Sequence, residues 1–288
     1  MVLKALPDQV LLASLETSLA NLRQRWPQQW PGLPLVFERC WQQLGHSQEH
    51  LGRDTVALIA LGRRITQHIE TDGQSRDASG AEPAYHNRLH MADALVCMTF
   101  LLLALRQLKL TSTRSARQEA LMLVTMAGHD FLHPGGRNAY PGQLENLSVQ
   151  ALAPVLAASK VSAADAAQMR ACILATDPEC VPAQHRAAAS LRFDLADPIW
   201  QSVLAQEADI MASALPLTQA DLTQALSREW APSTPAGVAQ ALLTAQGRLG
   251  FLQHAALFTS PAAHHLGMAQ VRARQIRALQ ERLAQAQG

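Results

Sequence analysis

Apolar residues recur three and four positions apart along most of the 288-residue chain, the spacing that lines one face of an α-helix. Val10, Leu11, Leu15, Leu19 and Leu22 predict a first amphipathic helix over 8–25. Trp26 to Pro34, with three prolines, reads as a connector. Helices are predicted at 35–44 and 53–69, then a loop from Thr71 to Pro83, where Asp, Gly and Ser replace apolar periodicity. Further helices follow at 89–110, 116–129, 143–158, 162–176, 197–214, 218–230, 236–257 and 262–286. No run alternates with period two long enough for a strand, and no repeat or low-complexity linker divides the chain. The pattern predicts an all-α, compact multi-helix bundle forming one domain over 1–288. Ser162 and Thr218, with Asp165 and Asp221 three residues on, have the capping-box form of helix starts.

Composition narrows the class. Hydrophobic residues make up 48% and charged residues 16%, the balance of a folded domain rather than a disordered chain. Lys and Arg number 24 against 23 Asp and Glu, so no bulk field favours a nucleic acid polymer or a membrane surface. Cys40, Cys97, Cys172 and Cys180 are scattered without a CxxC pair, which predicts reduced thiols and a cytoplasmic protein. Met1 to Leu22 mixes Lys4, Asp8 and Glu16 into its apolar residues and lacks a signal-peptide core. Ala94 to Leu105 is too short to span a bilayer and reads as a buried core helix. Arg272, Arg274, Arg277 and Arg282 read as a solvated face. Phosphate-loop, dinucleotide and serine-hydrolase motifs are absent from the sequence.

Two polar clusters interrupt the apolar pattern. In Tyr85-His86-Asn87-Arg88-Leu89-His90-Met91-Ala92-Asp93, His86 and His90 stand four apart, which stacks them on one helical face, and Asp93 follows three later. In the second cluster His129-Asp130 closes the apolar run Leu121–Ala127, and His133 lies one turn on. Pro134-Gly135-Gly136 then breaks the helix. Imidazole nitrogen and carboxylate oxygen together suit a first-row metal ion. His46, His50, His68, His185, His254, His264 and His265 have no such partner cluster and read as surface or ordinary polar positions. Trp200 and Trp230 read as core.

These motifs resemble the HD superfamily of metal-dependent phosphohydrolases, and more narrowly the class I cyclic-nucleotide phosphodiesterases. Residues 85–93 look like that family's YHNxxHAxD motif, and residues 129–138 like HDxxHPGxxN. Leu144-Glu145-Asn146, Leu174-Ala175-Thr176-Asp177, Ala208-Asp209-Ile210 and Arg248-Leu249-Gly250-Phe251 follow in the family's order. The resemblance covers about 80–265 and leaves 1–75 as a helical buttress.

The resemblance implies that His90, His129, Asp130 and Asp209 hold a first metal, zinc or iron, with Asp177 as rival for the fourth place. Asp130 would bridge to a second, magnesium or manganese. His86 would act as general acid on the leaving group, while Glu145, Thr176 and His133 orient water around the metals. Asp177 would stand near the metals, and Asp93 would support the histidine face. Tyr85 and Asn87 would line the phosphate pocket, with Arg248 and Phe251 contacting the substrate. The expected substrate is a small phosphodiester, a cyclic nucleotide first.

The sequence departs from the pattern at three places. Arg248 replaces the purine-contacting glutamine, with Gln246 two positions away. Leu147 and Ser148 replace two histidines, and the segment between Asn138 and Glu145 is shortened. A guanidinium only donates, where an amide donates and accepts. Other phosphate di- or triesters therefore stay open as substrates, as do a metal-binding regulatory domain without turnover and a di-iron HD oxygenase. The oligomeric state stays open, a homodimer included.

Overall fold

The computed structural model describes residues 8–47, 49, 51–112, 115–235 and 237–286; His50 and the extreme N-terminus lie outside them. Among the described residues the chain forms fourteen α-helices and no strand. They are α1 (Asp8–Arg25), α2 (Leu33–Gln43), α3 (Arg53–Ala78), α4 (Arg88–Gln107), α5 (Ala116–Gly128), α6 (Gln143–Ala157) and α7 (Ala163–Ala175). After these come α8 (Val181–Ala189), α9 (Pro198–Ala214), α10 (Gln219–Trp230), α11 (Val238–Ala241), α12 (Ala245–His254), α13 (Pro261–His265) and α14 (Met268–Gln285).

The central helix is α4. It packs against α1, α2, α5, α9 and α13, so it has almost no solvent face and its sequence is apolar nearly all round. By length and composition α4 could cross a membrane, yet 89% of that window is buried inside the fold, as a core helix requires. Its start is fixed by Asn87, whose side-chain oxygen accepts from the Leu89 N–H at 2.9 Å and the His90 N–H at 3.2 Å. One continuous buried cluster runs from Leu11 in α1 to Val271 in α14.

Several expected boundaries are corrected. The expected loop at 71–83 is helical to Ala78, because polar partners replace apolar periodicity. Arg76 pairs with Asp72 at 2.7 Å, Gln74 donates to Glu70 at 3.0 Å, and Gly73 leaves room for the Arg88 side chain. The expected helix 236–257 divides into α11 and α12, where Thr244 caps the second piece by accepting from the Gly247 N–H at 3.0 Å. Gly267, at φ +76°, divides 262–286. A short α8 precedes α9. Ser162 caps α7 as expected, accepting from the Asp165 N–H at 3.1 Å, whereas the buried Thr218 hydroxyl donates to the Ala212 carbonyl and caps nothing.

Residues 8–75 are tied to the rest by buried ion pairs as well as apolar packing. Arg23 grips Asp93 with both Nη atoms, at 2.9 and 2.6 Å. Glu70 accepts from Trp30 Nε1 at 2.9 Å, the Leu33 N–H at 2.7 Å and Arg88 Nη1 at 3.0 Å. His46 is not a surface residue: it stacks on Trp41 and bonds Glu119 at 2.6 Å and Arg106 at 2.7 Å. His185 is also buried. Arg272 is not solvated throughout, since its guanidinium donates to the Leu252 and Gln253 carbonyls at the end of α12.

Candidate metal centre

The first turn of α4, the end of α5 and the middle of α9 converge on one point. α4 brings His90, α5 ends into His129 and Asp130, and α9 brings Asp209. One ligand atom from each of the four lies within 4.8 Å of all the others. His90 Nε2 is 3.2 Å from Asp130 Oδ2 and 3.2 Å from Asp209 Oδ1. His129 Nε2 is 3.2 Å from Asp130 Oδ2, 3.5 Å from Asp209 Oδ1 and 3.2 Å from His90 Nε2. Ligands bound to one ion at about 2.0–2.2 Å are separated from each other by about 3.0–3.6 Å, so the donor set fits a metal ion.

The surroundings agree with that fit. The Met126 carbonyl takes the Nδ1 proton of the buried His129 at 2.8 Å, which turns its Nε2 lone pair inward. Burial works against charge on both imidazoles, but the two aspartates overcome it, raising His90 to about 9 and His129 well above its ordinary value. Burial likewise opposes ionisation of the aspartates, and the histidines hold Asp130 and Asp209 well below the usual carboxylate range. The two carboxylates at its centre thus favour positive charge, so the cluster could hold a cation.

Beside it lies a second group, His86, His133 and Glu229. His86 Nδ1 is 2.5 Å from Glu229 Oε1, and its ring stacks on His133 with centroids 3.9 Å apart. Glu229 also accepts from the Tyr85 N–H at 2.7 Å, the His86 N–H at 2.9 Å and the Gly136 N–H at 3.0 Å. Burial opposes its charge, but the His86 hydrogen bond prevails and lowers Glu229 to about 2. Burial and the neighbouring His86 lower His133 to about 4. The Gly135-Gly136 turn, at φ +85° and +89°, carries the chain sharply back so that Gly136 reaches Glu229. Arg76, from the unexpected extension of α3, donates to the His133 carbonyl at 2.9 Å.

Both groups border a cavity of about 550 Å³, lined among others by His86, Asp130, His133, Glu145, Thr176, Asp177 and Asp209. Glu145 accepts from Asn138 Nδ2 at 3.0 Å, and partial burial raises its pKa. Thr176 donates to the Ile173 carbonyl at 2.7 Å, and Asp177 accepts from the Glu179 N–H at 3.0 Å. Asp177 is outside the four-residue cluster, which Asp209 completes.

Six expected residues are placed differently. Asp93 pairs with Arg23 instead of bonding the histidine face. Both ends of the Asn87 amide are taken by backbone, its nitrogen donating to the Ala84 carbonyl at 3.0 Å, so it positions α4. Tyr85, its hydroxyl 2.9 Å from Ser213 Oγ, and Phe251 line a separate cavity of about 70 Å³. Arg248 lines that small cavity too, but its guanidinium donates to the Ser213 and Ala214 carbonyls and to Gln275 Oε1, not into the larger cavity. Trp230, expected in the core, lines the larger cavity.

Nothing in the sequence marks Glu229. It is one acid on an amphipathic helix, 143 residues from the histidine it holds. No protein-family model matches the chain, and no curated protein matches it.

Proposed function

We propose that this chain is a metal-dependent phosphodiester hydrolase. The observation that carries the reading is the convergence of His90, His129, Asp130 and Asp209 at the wall of a cavity that His86, held by Glu229, also lines. Mixed nitrogen and oxygen donors suit zinc or iron, and the carboxylates around Asp130 suit magnesium or manganese at a second position. Divalent ions there would supply the Lewis acidity that polarises a phosphoryl group and eases deprotonation of water.

The protein's own groups account for the rest. Glu229 takes the hydrogen bond of His86 Nδ1 and three backbone N–H groups, which fixes the ring. His86 Nε2 is thereby the nitrogen free to hand a proton to the departing alkoxide. Glu145, steadied by Asn138, and Asp177 are placed to orient water at the cavity wall. By resemblance in the two histidine motifs, a cyclic nucleotide is the leading substrate. Other phosphodiesters follow, because Arg248 and Phe251 lie in the smaller cavity.

The test is hydrolysis of cyclic AMP, cyclic GMP and bis-(p-nitrophenyl) phosphate with added manganese. Asp130→Ala is expected to lower every rate by about 1,000-fold or more. Glu229→Gln is expected to slow cyclic nucleotides by about 100-fold but the nitrophenyl ester far less, since nitrophenolate leaves without a proton. Absence of metal-dependent hydrolysis of all three esters contradicts the reading.

A further inference from the structure

Five carboxylates line the larger cavity, from Asp130, Glu145, Asp177, Glu179 and Asp209, and the one lining arginine or lysine is Arg137. Its guanidinium lies over the Trp230 ring, 5.7 Å from the centroid. Among the described residues it makes no ion pair or hydrogen bond that would consume its donors. The residues on either side of it are pinned. The Gly136 N–H donates to Glu229 at 3.0 Å, while Asn138 accepts from the Leu144 N–H at 2.8 Å and donates to Glu145 at 3.0 Å. The ring beneath comes from the residue after Glu229, so one helix end supports both His86 and Arg137.

A guanidinium laid on an indole keeps its N–H edge open, and that fork matches a phosphate or carboxylate. Every Asp, Glu, Lys or Arg side chain lining the cavity other than Arg137 is acidic, so away from the metal-site histidines Arg137 is where an anionic arm of a substrate would be held. We propose that Arg137, seated on Trp230, is the specificity-determining residue of this site. It takes a second anionic group of the substrate, beyond the phosphodiester that is cleaved. The inference rests on the hydrolase reading and narrows its substrate class from cyclic mononucleotides toward phosphodiesters bearing a further phosphate or carboxylate.

The experiment is calorimetric binding of adenosine 3′,5′-bisphosphate and adenosine 5′-monophosphate to the manganese-loaded full chain. Wild type is expected to bind the bisphosphate at least ten-fold more tightly. In Arg137→Ala the two affinities should fall within two-fold of each other, and Arg137→Lys should recover part of the difference. Arg137 is exposed, and far-UV circular dichroism checks that the variants fold. Equal affinities in wild type, a preference that survives Arg137→Ala, or no binding of either nucleotide overturns the inference. Binding needs no turnover, so a chain that keeps the Arg137-dependent preference yet hydrolyses no ester removes the hydrolase reading alone. Hydrolysis with equal affinities removes this one alone.

Discussion

Asp93 is fully buried one turn after His90, and burial pushes its carboxyl up although Arg23 pulls it down. The pair joins the first helix to the helix that carries a metal-site histidine. Removing one partner of a buried pair leaves an uncompensated charge, at about 3–5 kcal/mol. Arg23→Met should therefore lower the urea midpoint strongly, and adding Asp93→Leu should restore most of the loss. His185, which is in neither the four-residue cluster nor the lining of the larger cavity, gives a pH prediction. Burial holds it at about 4, against an ordinary value of 6.5, with Nδ1 on Thr259 and Nε2 unpartnered. Between those values the unfolded chain binds the extra proton, so this residue's contribution falls as pH drops from 6.5 to 4. The stability of wild type relative to His185→Gln should decline by about 2 kcal/mol between pH 7.5 and 4.5, read from urea midpoints. At this scale His90, His129 and Asp130 were legible because local spacing carries them. Glu229 and Arg23 were not, because each acts on a residue far along the chain and a single charge on a helix has no pattern.

Among the elements, α3 shows what periodicity misses. Its last two turns contain few apolar residues, so 71–78 reads as loop, yet they hold Arg88 on one side and the His133 carbonyl on the other. Gly73 is the contact point: a Cβ there would stand 2.6 Å from Arg88 Cδ and Nε. Arg88 cannot easily move, because Glu70 and Glu82 bond it at 3.0 and 2.8 Å. Helix propensity alone would favour Gly73→Ala by about 1 kcal/mol. Overpacking against a fixed side chain costs about 1–3 kcal/mol, so the variant should be the less stable, with a lower thermal midpoint. An increase would show that Arg88 is free to shift. α4 was legible for the opposite reason: surrounded on all sides, it needed apolar residues at nearly every position. The breaks at Thr244 and Gly267 depend on local backbone geometry, which the apolar pattern does not encode.

In the whole molecule, one buried cluster links α1 to α14, and the site sits where three of its helices meet. Without an ion, the two imidazoles and two carboxylates satisfy one another, so the fold should survive chelation. An ion present at about 1,000 times its dissociation constant adds about 4 kcal/mol, which for a chain this long is about 5–10 °C in the melting temperature. Chelator should lower the midpoint by that amount while leaving a cooperative transition, as differential scanning calorimetry would show. The most direct test of the central claim is the metal content of the full chain purified without chelator, by plasma mass spectrometry, beside Asp209→Asn. The account predicts at least one equivalent of a divalent transition metal in wild type and a clear loss in the variant. No bound metal in wild type, or equal content in both proteins, would contradict it.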